Sequence, residues 1–143
     1  MSRIELKWTD RVTTGSQTPR RFLDFVIDDH SLYRKVGDKV SPLGWLSAEQ
    51  NQKAVNRLLR KEPSDFRNGR TSIFICPECG DLGCGAISTV IERIDDNIIW
   101  RDFGYQNSYE EAVHTDGFED IGPFTFSATE YYNEIVRALV LKQ

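Results

Sequence analysis

Ser72-Ile-Phe-Ile-Cys-Pro-Glu-Cys-Gly-Asp-Leu-Gly-Cys-Gly-Ala-Ile-Ser-Thr-Val-Ile91 decides the fold. An apolar run, Ser72 to Cys76, enters a turn rich in glycine, and a second β-like run, Ala86 to Ile91, leaves it. Two such runs around a tight turn predict an antiparallel pair. Asp95-Asp-Asn97 then turns the chain again, and Ile98-Ile-Trp-Arg-Asp-Phe-Gly-Tyr105 returns as a third strand. Residues 72–105 therefore read as a meander.

Strict alternation along the returning strand puts Trp100 and Asp102 on one face and Arg101, Phe103 and Tyr105 on the other. Either both faces of an inner strand are buried, or one aromatic set belongs to a surface. Residues 106–123 are polar and acidic and read as a loop, with Phe124-Thr-Phe126 as a last short strand.

Upstream, Ile4, Leu6 and Trp8 alternate as in a strand, and Arg21 to Ile27 is a second one. Thr13 to Pro19 is a cluster of turn residues, so 1–27 reads as a hairpin. Asp29 is placed to cap a short helix through Leu32, Tyr33 and Val36. Ser47-Ala-Glu-Gln50 is a capping box. It opens a helix with Ala54, Val55, Leu58 and Leu59 on one face, ending before Pro63. Ser127-Ala-Thr-Glu130 is a second such box. Tyr132, Ile135, Val136, Leu139 and Val140 follow it as an apolar stripe at helical spacing. The expected fold is α+β over residues 1–143 as one domain. Its mainly antiparallel sheet, the N-terminal strands plus the 72–105 meander, packs against two longer helices.

The formal net charge is −4, unevenly spread. Residues 1–70 carry 14 basic and 9 acidic side chains, whereas residues 92–120 carry 2 basic and 9 acidic. These segments either neutralise each other in the fold or leave an acidic face for a basic partner. An acidic face disfavours direct contact with nucleic acid. The helix after Ser47 is basic, but no base-stacking platform accompanies it, so it reads as a solvated face. No apolar run approaches the roughly 20 residues that span a bilayer. The N-terminal segment reads as a strand and not as an export signal, so the expected location is the cytoplasm, with reduced thiols.

All three cysteines lie in the central turn. Cys76 and Cys79, with two residues between them, suit a tetrahedral metal, and Cys84 adds a third thiolate. Asp81, His30 or His114 would have to complete the four ligands of a closed zinc site. A thiol redox site, a disulfide of Cys79 with Cys76 or Cys84, and a glycine-supported corner with buried, unreacted thiols are the other readings. The redox reading lacks the helix N-terminus that activates such cysteines elsewhere. The expectation is a fold that needs no cofactor, with zinc at Cys76, Cys79 and Cys84 as the one candidate. His30 and His114 read as surface residues. No nucleophile elbow, phosphate loop or dinucleotide fingerprint is present.

The run Cys76-Pro-Glu-Cys-Gly-Asp-Leu-Gly-Cys-Gly85, with Ile91-Glu-Arg and Ile99-Trp-Arg-Asp-Phe-Gly-Tyr105, resembles a group of small bacterial proteins without an assigned activity. The overall make-up, a small acidic α+β protein without a catalytic motif, resembles the immunity proteins of contact-dependent growth inhibition. That resemblance implies a non-catalytic inhibitor of a toxin domain, a basic nuclease above all. The expected contact residues are Trp100, Asp102, Tyr105, Tyr109, Glu110, Glu111, Asp116, Glu119 and Asp120, because aromatic anchors among polar groups hold protein interfaces. The alternative is a small zinc-binding or thiol-redox protein built on the three cysteines.

Overall fold

A computed structural model describes residues 1–142. The expected α+β class is what it shows, with two antiparallel sheets in place of one. The first sheet holds β1 (Ile4–Asp10), β2 (Arg21–Ile27) and β3 (His30–Ser31), in that order. The second holds β4 (Thr71–Ile75), β5 (Ala86–Ile94), β6 (Asn97–Gln106) and β7 (Phe124–Ser127), also in chain order. Three helices, α1 (Leu32–Val36), α2 (Ala48–Leu58) and α3 (Ala128–Val136), complete the fold.

The sheets are stitched together at their edges. Ser2 donates its N–H to the carbonyl of Thr125, joining the start of the chain to β7 (2.8 Å). On the opposite side the segment 40–43 serves both sheets. Val40 exchanges two backbone bonds with Ile75 of β4, and the Leu43 carbonyl accepts from Leu23 of β2 (3.0 Å). Strand edges that would otherwise expose unpaired backbone groups are thereby covered. Phe25 of the first sheet meets Phe74 and Trp100 of the second edge-to-face, with ring centroids 5.8 and 5.2 Å apart. That contact is the centre of one core, to which α2 adds Ala54, Val55 and Leu58, and α3 adds Tyr131 and Ile135.

Both capping serines act as expected. The Ser47 Oγ accepts from the N–H of Gln50, and the Ser127 Oγ from that of Glu130. Other details differ. Ser31, not Asp29, caps α1, its Oγ accepting from the Arg34 N–H (3.1 Å). Asp28 and Asp29 have φ of 52° and 68° and form the two-residue turn between β2 and β3. Such left-handed pairs match the twist of a hairpin, and Asp tolerates them. The stripe on α3 is rotated. Ala128, Tyr131, Ile135 and Ala138 face the core, while Val136, Leu139 and Val140 are exposed, Val140 to 71%. The 3-10 turn Arg137–Leu139 ends the α-helical periodicity before the stripe is complete.

Asp102 breaks the alternation on β6. Its φ is 56°, and the pairing with β5 shifts between Ser88 and Val90. Asp102 and Phe103 together occupy the position opposite Thr89, a β-bulge. The extra residue brings Trp100 and Phe103 into the same core, where alternation alone would separate them. Arg70 braces the bulge from the other face. Its guanidinium donates to the Ser88 Oγ (2.9 Å), the Ser88 carbonyl (3.1 Å) and the Asp102 carbonyl.

Candidate functional site

Two features the sequence singled out, the cysteine turn and the acidic loop, come together at one end of the second sheet. Cys76 follows β4 and Cys84 lies just before β5, so the pairing of those strands sets the distance between them. A single 3-10 turn, Leu82–Cys84, closes the corner, capped by the Asp81 carboxylate on the Gly83 N–H (2.8 Å). Gly85 has φ +96°, and a Cβ there would overlap the Tyr105 ring, so only glycine fits.

The three sulfur atoms lie within 4.8 Å of one another, and those of Cys79 and Cys84 are 3.0 Å apart. No histidine or carboxylate joins them among the described residues. The Asp81 carboxylate, one of the three side chains considered for a fourth ligand with those of His30 and His114, is turned onto Gly83. Cys76 is half-buried, whereas Cys79 and Cys84 are exposed, which corrects the reading of a corner with buried thiols. Burial pushes the Cys76 thiol up, but the backbone N–H groups of Cys79 and Glu78 and the neighbouring thiols outweigh it and leave it below the ordinary thiol range. Cys84 is pushed up to about 12, first by its hydrogen bond with Cys79 and then by burial and the two neighbouring cysteines. Three adjacent thiols resist ionising together because the charges repel.

The corner is gripped by the β1–β2 hairpin. Glu78 accepts from Arg11 (2.7 Å) and from the hydroxyl and N–H of Thr18 (2.6 and 3.1 Å). These bonds, Arg11 first, lower its pKa to about 2. Arg20 donates to the carbonyls of Pro77 (2.7 Å) and Glu78 (3.3 Å), and its guanidinium lies over Trp45.

The acidic loop is attached to the same corner. The Ser108 N–H donates to the Leu82 carbonyl (3.3 Å), and the Tyr109 ring lies directly over Gly83. Tyr105 and His114 exchange two backbone bonds of 2.8 Å, which holds the middle of the loop on β6. The Asn107 carboxamide accepts from the N–H groups of Tyr109 and Glu110. Tyr109 is 81% exposed, and Glu110, Glu111, Asp116, Glu119 and Asp120 are all exposed. A groove of about 700 Å³ runs between this loop and residues 65–68, with Tyr109, Glu110 and Glu111 on one side and Arg67 on the other.

Not every expected contact residue is available. Trp100 is fully buried at 0% exposure and belongs to the core, so it cannot anchor a partner. Tyr105 is half-buried, covered by Gly85 and Lys39. Asp102 is exposed but already paired with Arg101. His114 lies 3.9 Å from Glu110, and His30 is on β3 in the other sheet. Sequence reasoning missed the Arg70–Ser88–Gln106 network beneath the loop, in which the Ser88 hydroxyl donates to Gln106 (2.6 Å). A buried Arg70 leaves no mark on a strand pattern read for apolar residues. No helix among the described residues is long and apolar enough to cross a membrane.

No protein-family model, curated protein or solved structure matches this chain.

Proposed function

We propose that this chain is a non-catalytic binding protein that holds a basic protein partner against its acidic loop. Like the immunity proteins it resembles, it neutralises a toxin domain, of nuclease type, in the cytoplasm. One observation carries the reading. Among the described residues, Glu111, Asp116, Glu119 and Asp120 form no ion pair with any lysine or arginine, despite the basic excess of residues 1–70. The two halves of the chain therefore do not cancel each other at this loop. A nuclease cleft is basic because it must hold phosphate, and carboxylates can occupy it in place of nucleic acid. Tyr109 supplies the exposed aromatic surface that charge alone does not.

The test is association with a toxin encoded beside this chain's gene, followed over a range of salt. Wild type should bind faster at low salt, because long-range attraction is screened as ions are added. Reversing Glu110, Glu111, Asp116, Glu119 and Asp120 to lysine should slow association at least tenfold and flatten the salt dependence. Equal rates for variant and wild type at every salt concentration would end this reading.

A further inference from the structure

We propose that Cys76, Cys79 and Cys84 form a three-thiolate site for a single thiophilic d10 cation, zinc foremost, with its fourth coordination position open. The geometry is the first support. A tetrahedral zinc with Zn–S arms of about 2.3 Å separates its sulfurs by about 3.8 Å. The three sulfurs all lie within 4.8 Å of one another, and the Cys79–Cys84 pair, at 3.0 Å, would open slightly to reach that spacing.

The backbone is the second support. The Asp81 N–H is directed at the Cys79 sulfur (3.4 Å), and the Gly80 N–H donates to the Cys76 carbonyl (2.9 Å), which closes the knuckle around the two sulfurs. A backbone donor on sulfur orients it as outer partners orient other metal ligands.

The third support is rigidity. Both ends of the turn are fixed by β4 and β5, and its middle by the Glu78 clamp on Arg11 and Thr18. The ligands are thus held together before any ion arrives. A Cys79–Cys84 disulfide, the nearest competitor, would use two sulfurs and leave Cys76 out. It would also require a thiol oxidant to remove two protons and two electrons.

The open position follows from the ligand count. No fourth histidine, cysteine or carboxylate joins the cluster among the described residues, and two of its three cysteines are exposed. Water would fill the fourth site and would exchange with an imidazole or thiol from another molecule.

Cobalt(II) is the direct probe, added to the full chain after reduction and removal of the reductant. The expected result is one cobalt per chain, with sulfur-to-cobalt charge-transfer bands and the visible bands of a tetrahedral centre, displaced by one equivalent of zinc. Adding free imidazole should shift the visible bands. Cys76→Ser, Cys79→Ser and Cys84→Ser should each weaken zinc binding by about 100-fold. Cys84→His should recover part of the loss, which separates a ligand role from a folding defect. Unchanged visible bands with imidazole would overturn the open position. Absence of charge-transfer bands with all three thiols free to a thiol reagent would overturn the site. So would a Cys79–Cys84 disulfide that persists in millimolar reduced glutathione.

Discussion

The Trp100 indole donates its N–H to the Tyr131 hydroxyl at 3.1 Å, and both side chains are fully buried. The same hydroxyl donates to the Leu58 carbonyl at 2.7 Å. One oxygen atom thus joins β6, α3 and the end of α2. Burial raises the Tyr131 pKa, so the phenol keeps the proton it donates. Tyr131→Phe leaves the Trp100 N–H and the Leu58 carbonyl without that partner, at a cost of about 1–3 kcal/mol. Urea unfolding should show a lower midpoint with an unchanged slope.

Asp102 sits at φ 56°, where a residue without a Cβ is at ease. Asp102→Gly should leave stability within about 0.5 kcal/mol of wild type, since relief of the backbone offsets the entropy glycine adds to the unfolded chain. Asp102→Val should cost about 2 kcal/mol, because a β-branched residue is strained in this region. Thermal melts of the two variants in parallel check the prediction. Similar losses for both would mean that the carboxylate, not the bulge geometry, matters here.

Gly104 approaches the acidic loop so closely that a Cβ would lie 2.7 Å from Val113 Cγ1 and 3.1 Å from the His114 carbonyl oxygen. Gly104→Ala should push the loop off β6 and weaken the two Tyr105–His114 backbone bonds. Hydrogen exchange should then speed up at Tyr105 and His114 by tenfold or more, while the β1–β2 hairpin keeps its protection.

Two carboxylates should pull the pH dependence of stability in opposite directions. Glu78 has its pKa lowered to about 2 from 4.5, so the folded state binds this proton less readily than the unfolded chain. Its contribution is present above about pH 4.5 and lost as pH falls towards 2. Asp24 is raised above 3.8 by burial, against the hydrogen bonds from Ser31 and the N–H groups of Tyr33 and Phe25. The folded state therefore binds its proton more readily, and this group opposes folding increasingly as pH rises from 3.8 through its folded pKa. Glu78→Gln should flatten the fall in melting temperature below pH 4.5. Asp24→Asn should raise the melting temperature at pH 7 relative to wild type more than it does at pH 3.5.

Much of the candidate site was legible because its chemistry is local. Three cysteines within nine residues, between two apolar runs, require a tight turn wherever the chain places it. The exposed carboxylates of 106–120 were equally plain, since a segment with so few apolar side chains has little to bury. What escaped was Trp100. Beside Asp102 and Tyr105 it reads as part of an aromatic, acidic surface, yet Phe25 of the other sheet covers it. A residue on an inner strand has two faces, and its own sequence neighbours do not say which elements pack on them.

Local sequence was enough to set the order of the strands in the meander, the two serine caps and the turn that gathers the thiols. Each rests on forces acting between residues close along the chain: backbone pairing across a short turn, or one side chain bonding an N–H three residues on. Long-range packing set the division into two sheets, the face of α3 that enters the core and the bulge that re-phases β6. It also decided which acidic residues stay unpaired. These depend on contacts between segments far apart in sequence, such as Phe25 with Trp100 or Arg70 with Asp102. Burial there is settled by which arrangement fills the whole core, and no local pattern records that choice.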